Sequence, residues 1–271
     1  MTPMSRAITR ILQLTAWPME RPLPYSGFHI ILLLFGVPAA ICAARSAAGR
    51  LSLRPNPGRA FCRLFFVCGL LLAASEVYKQ LFLYEIVGGR RYDWWYFPFQ
   101  LCSVPMYLCL LLPLISSPAI RRVMITFIQD FGLLGGFLAL LEPSGLMHPY
   151  WTLTLHGFLW HFMLIFLGLC CAFSGQAMKE TRDYLKVLPL FFLCCLIATV
   201  INVASHPYGN ADMFYISPYY PNGQVVFHQI ALTVGTLAGN LIYLVGVAAG
   251  GLAVHMICRV IREKGISQPS R

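Results

Sequence analysis

The sequence predicts an all-α, polytopic membrane protein: a bundle of about seven transmembrane helices with the N-terminus outside and the C-terminus cytoplasmic. Three observations carry that expectation. Of 271 residues, 58% are hydrophobic and only 11% are charged, against about 25% charged in a soluble domain. The apolar residues fall in blocks that reach the roughly 20 residues a helix needs to cross a bilayer. The basic residues collect between those blocks, far more on one side than on the other.

The elements follow in order. Residues 1–24 read as an amphipathic interfacial segment. Arg6 and Arg10 stand among Ile8, Ile11, Leu12 and Leu14, the pattern of a short helix on a membrane surface rather than of a signal peptide. Pro18, Pro22 and Pro24 end it. Residues 25–258 read as the transmembrane domain, with spans expected at about 25–44, 64–84, 97–115, 123–141, 151–173, 187–204 and 225–258. The last is longer than one crossing needs and is expected to tilt or project. Its Gly235, Gly239, Gly246 and Gly250 recur at helical spacing, which lets helices approach closely. Residues 259–271 read as a basic cytoplasmic tail.

Orientation follows from the basic residues. Arg6, Arg10, Arg21, Arg90 and Arg91 fall on one side. Arg45, Arg50, Arg54, Arg59, Arg63, Arg121, Arg122, Lys179, Arg182, Lys186, Arg259, Arg262, Lys264 and Arg271 fall on the other. The richer side is expected in the cytoplasm. The net charge of +10 therefore reads as orientation and lipid contact, not nucleic-acid binding. The ten cysteines lie mostly inside apolar blocks, where free cysteine packs as a small hydrophobe. No C-x-x-C pair or Cys/His ligand spacing occurs, so no disulfide framework or structural zinc is expected. The expected location is the cell membrane and the expected partners are membrane lipids, with the oligomeric state open.

Polar groups at membrane depth are costly and so mark candidate sites. Glu76 and Lys79 share a face of the second span. Gln100 and Cys102 lie in the third, His156 and His161 in the fifth, Asn202 in the sixth, and His228 and Gln229 open the seventh. All fall toward the outer leaflet. Asp130, in the cytoplasmic half of the fourth span, is the exception. Groups from five helices at one level read either as a shared cavity or as a hydrogen-bond network that pins the helices. Cys102 with a histidine is the sharpest pairing, because imidazole can deprotonate a thiol and the thiolate is a nucleophile. His156 matches it in depth and His161, slightly deeper, competes.

The segment Phe97-Pro-Phe-Gln-Leu-Cys-Ser103 resembles the L-P-x-H-L-C element of the YwaF family of multi-pass membrane proteins. Glu76 stands at that family's acidic position. Residues 135–141 with Pro143 resemble its fourth span, His156-Gly157 its H-G pair, and Asn202 with Gly209 to Tyr215 its later Asn- and Met-containing segment. Gln100 stands where a histidine is common, and residues 210–213 carry extra positions. The resemblance spans about residues 61–250. It implies kinship with animal membrane acyltransferases that remodel phospholipids through a cysteine acyl-thioester, with Cys102 as nucleophile and His156 as base. The substrate is then a phospholipid or lysolipid, and no metal or soluble cofactor is needed. Lys79, Gln100 and Asn202 are expected to hold a head group or an oxyanion, beside Glu76 and His161. A non-enzymatic seven-helix binder, transporter or sensor using the same cavity is the alternative, and a purely structural membrane protein is the third.

Overall fold

The computed structural model of the chain describes residues 3–266, and all their regular structure is helical. The helices are α1 (Pro3–Gln13), α2 (Gly27–Ser52), α3 (Pro57–Phe82), α4 (Val104–Leu111), α5 (Pro118–Leu141), α6 (Trp151–Phe173), α7 (Leu188–Ser205), α8 (Val225–Val234) and α9 (Thr236–Ile266). Six stretches are long and apolar enough to cross a membrane: Gly27–Ser52, Pro57–Val87, Pro118–Leu141, Trp151–Phe173, Thr181–Ser205 and Thr236–Glu263. The protein is a polytopic membrane bundle.

Prolines set several helix starts. Pro57 and Pro118 occupy first-turn positions, where a missing N–H costs nothing and the fixed φ suits the helix. Ser117 caps α5, its hydroxyl accepting the Ile120 N–H at 3.4 Å. α5 and α6 are the most enclosed of the long helices. Around them Phe131 of α5 stacks on Phe191 of α7 with centroids 4.8 Å apart, and Phe127 and Leu164 are fully buried.

Four details differ from the sequence expectation. The basic stretch expected between the first two spans is mostly helical: α2 runs through Arg45 and Arg50, α3 begins before Arg59 and Arg63, and only residues 53–56, with Arg54, form the link. A helix tolerates arginines at its end because their long stems keep the charge in water. The third span is only a short helical run, Leu101–Leu114, and the chain from Phe97 to Gln100 enters without helical structure. The seventh span is broken. Gly235 has φ 89° and ψ 157°, a region essentially restricted to glycine. There the chain reverses: an added Cβ on Gly239 would lie 2.7 Å from Ala231 Cα, and one on Gly246 would lie 2.9 Å from Phe227. α8 thus folds back along α9 as a hairpin with Gly235 at the turn, while Gly239 and Gly246 of α9 pack against α8 and Gly250 packs against Leu134 of α5, the close approach expected of small residues at helical spacing. Finally, α1 docks on the bundle. Leu12 packs with Phe82, Leu83 and Leu153, and Thr9 Oγ1 donates to Glu85 at 2.8 Å. Ile11 and Leu14 stay exposed. Of the expected basic tail, residues 267–271 lie outside the described residues.

A buried polar network ties the other end of the bundle. Asp130 of α5 meets His255 Nδ1 of α9 at 2.9 Å, and His255 Nε2 donates to the Glu180 carbonyl at 3.1 Å. Gln129 donates to Asp130 at 2.8 Å and accepts from Arg262. Asp130 thus has a partner for each oxygen, which is what a fully buried carboxyl requires.

Candidate active site at the polar end of the bundle

Cys102 sits in the helical turn Leu101–Ser103 that starts the short α4 run. Its carbonyl accepts the indole N–H of Trp160, on α6, at 3.1 Å. Its Cβ faces Gly135 of α5, where a side-chain carbon would come within 3.8 Å. α4 runs back along α3, with Cys109 beside Gly69, so the cysteine reaches the level of the polar end of α3.

That end of α3 carries Ser75, Glu76, Lys79 and Gln80 within two turns. Glu76 is buried. One of its oxygens takes Lys79 Nζ at 2.8 Å and Gln80 Nε2 at 2.7 Å. The other faces His156 Nε2, across on α6, at 4.0 Å. His156 Nδ1 lies 2.7 Å from the Ser75 hydroxyl. The Trp160 ring packs one turn along α6 with its centroid 5.5 Å from that of His156. Cys102 and His156 therefore both touch the same indole, one through its N–H and one through ring contact. The structure brings Glu76, Lys79 and His156 together in one cluster.

The remaining candidates sit differently. His161 Nδ1 donates to the Gly157 carbonyl of its own helix at 2.7 Å, which leaves Nε2 as the bare nitrogen of the neutral ring. Gln100 and Asn202 hold the loop between α7 and α8. Gln100 donates to the Asp212 carbonyl at 2.9 Å and accepts the Phe214 N–H at 2.8 Å. Asn202 donates to the Met213 carbonyl at 3.0 Å and accepts the Met213 N–H at 2.6 Å. Each amide thus helps to satisfy buried backbone of the loop. The loop is packed inward: Met213, Phe214, Ser217 and Asn222 are buried. Phe214 and Tyr215 take φ of 59° and 55°, uncommon for non-glycine residues and sustained only where surroundings dictate them. Asp212 accepts the Ser217 N–H at 2.8 Å. Burial pushes its carboxyl up to about 6 against the opposing pull of that hydrogen bond.

Ser75 and Trp160 are the residues the sequence reading missed. A serine in an apolar helix and a tryptophan one turn after a histidine look like ordinary packing. Only the cross-helix contacts of α3, α4 and α6 distinguish them. His228, which the sequence set at membrane depth, contacts the Asn222 carbonyl at 2.9 Å and belongs to the loop rather than to the Cys102 cluster.

Below the polar cluster an apolar groove of about 730 Å³ opens between α2, α3 and α6. Its walls include Phe35, Ala39, Cys68, Leu159, Met163 and Phe166. Leu159 is the first of them along α6, three residues after His156.

No curated protein and no solved structure matched the chain. Residues 24–258 match the model of the TMEM164 family. The match covers the bundle except the last residues of α9, includes Cys102, His156 and the inward-packed loop, and the chain belongs to the TMEM164 family.

Proposed function

We propose that this chain is a membrane-embedded lipid acyltransferase or transacylase that works through a Cys102 acyl-thioester, with its polar end toward the outside. The observation that carries the reading is the Trp160 bridge, which ties the Cys102 carbonyl and the His156 ring to one side chain. The YwaF-like order of motifs around these residues supports it.

In this reading His156 takes the Cys102 thiol proton as Sγ attacks the ester carbonyl carbon of a phospholipid. A C–S bond forms, the ester C–O bond breaks, and the departing alkoxide takes the proton back from His156. An acceptor hydroxyl, deprotonated by the same ring, then attacks the thioester carbonyl. The new C–O bond forms, the C–S bond breaks, and the Cys102 thiol is restored. No redox change or cofactor enters. Glu76 faces the imidazole and balances the charge it gains in each step. Lys79 supplies positive charge for a phosphate or an oxyanion. The groove below His156, almost wholly apolar, suits the acyl chain.

Ser75, at 2.7 Å from His156 Nδ1, favours a second reading in which a serine is acylated. One experiment separates them. Purified protein is incubated with a phospholipid bearing an alkyne-tagged acyl chain, and the adduct is treated with neutral hydroxylamine. A thioester is cleaved and a serine ester survives. The expected result is a labile adduct that Cys102→Ala abolishes. Full lipid remodelling by Cys102→Ala overturns the cysteine reading. Ligand binding or solute flux that persists in both Cys102→Ala and Ser75→Ala, without any adduct, favours the non-enzymatic binder.

A further inference from the structure

A second cavity, of about 390 Å³, lies at the far end of α6 from His156. Its walls include Arg45 of α2, Phe173 at the end of α6, Ser174 in the turn beyond, Lys179, and Ile261 and Arg262 of α9. Along α6, the helical rise of 1.5 Å per residue sets Phe173 roughly 25 Å from His156. The two sites therefore lie near opposite faces of the bundle.

The local sequence explains the shape. α6 ends at Phe173, and Gly175, at φ 68°, turns the chain back so that the carbonyls of Ala177 and Met178 meet Arg262, each at 3.2 Å. Arg262 also donates to Gln129. Its Nε is buried and has no hydrogen-bond partner among the described residues. Arg45 lies over the Phe173 ring, 5.4 Å from the centroid. Among the described residues no carboxylate lines the cavity, and neither Arg45 nor Lys179 has an ion-pair partner. Glu180, next to Lys179, is engaged in capping the turn Thr181–Lys186.

Three cations around one small space repel each other, and an anion relieves that repulsion. Arginine and lysine are donors suited to phosphate oxygens. Ala48, Phe173 and Ile261 add an apolar wall. Basic pockets between transmembrane helices hold lipid phosphates, and the volume falls in the ~300–1,000 Å³ range of small-ligand sites. We propose that this cavity is a phosphate-binding site, separate from the Cys102 cluster, that takes the phosphate of an anionic lipid head group or a free phosphate ion. The proposal stands whether or not the protein is an acyltransferase.

The test is binding to the purified full chain in neutral detergent, read by thermal shift and titration. The probes are dioctanoyl phosphatidic acid, dioctanoyl phosphatidylcholine and inorganic phosphate. Phosphatidic acid is expected to raise the melting temperature, and the double variant Arg45→Gln/Lys179→Gln to weaken its binding about 10- to 30-fold. Both residues are exposed and neither is tied into an ion pair, so the variant retains the fold. A shift with phosphatidic acid alone identifies a lipid ligand, and an equal shift with inorganic phosphate identifies the free ion. The control Arg50→Gln/Arg54→Gln, on exposed arginines outside the cavity, is expected to bind as the wild type does. No shift with either phosphate probe, an equal shift with phosphatidylcholine, or equal weakening in the control overturns the proposal.

Discussion

The indole of Trp160 donates to the backbone carbonyl of Cys102 at 3.1 Å, linking α6 to the turn that begins α4. Trp160→Phe keeps most of the ring and deletes the donor. It leaves a carbonyl unsatisfied, at a cost of about 1–3 kcal/mol. Under the acyl-thioester reading it also loosens the cysteine against His156. The expected outcome is adduct formation reduced about tenfold or more, the effect of about 1.4 kcal/mol at the transition state, with the fold kept by circular dichroism. Unchanged adduct yield removes Trp160 from the site.

Glu76 holds Lys79, Gln80 and, at longer range, His156. Glu76→Gln leaves the Lys79 ammonium partly buried without its counter-charge. The expected loss is about 3 kcal/mol, the scale for breaking a buried pair from one side. Glu76→Gln/Lys79→Met removes both charges and is expected to recover much of that loss. Denaturant or thermal unfolding of these two variants and of Lys79→Met closes the cycle, and additive effects show that the pair is not coupled.

Asp212 gives a pH signature. Its folded pKa of about 6 stands above the usual carboxylate value of 3.8. The protonated form is therefore favoured in the fold. That contribution is fully present below pH 3.8 and is lost as pH rises through about 6. Asp212→Asn keeps an oxygen to accept the Ser217 N–H but carries no charge. It is expected to be more stable than wild type at pH 8, by on the order of 2 kcal/mol, with the difference vanishing near the acid end, at about pH 4. Melting temperatures across that range test the sign.

Gly235 carries the reversal between α8 and α9 at φ 89°. Gly235→Ala forces an L side chain into a region it avoids, at a cost of about 1–3 kcal/mol. The expected outcome is a lower melting temperature. A neutral effect shows that the hairpin has another conformation open to it.

The proposed orientation is tested by glycosylation tags in cells. A tag before residue 1 is expected to be modified and a tag after residue 271 to remain bare. The reverse pattern overturns the charge-based reading.

Membership of the membrane class was legible from apolar block length, because every span must satisfy its own backbone in lipid. The meeting of Glu76 and Lys79 was legible from their three-residue spacing on one helix face, and His156 faces the same carboxylate from α6. The break at Gly235 was not, since a glycine among apolar residues reads equally well as close helix packing. Nor was the work of Gln100 and Asn202, because their partners are loop backbone atoms 112 and 11 positions away.

By itself the sequence determined the helical membrane fold and the approximate position of most long apolar helices, since length, apolarity and residue type are local properties. Tertiary structure alone decided which side chains share a site. Rotation about each helix axis sets the angle at which a residue faces, and that is fixed by packing between helices. So Ser75 stands beside His156, Trp160 holds the Cys102 carbonyl, and Arg45, Lys179 and Arg262 meet around one cavity.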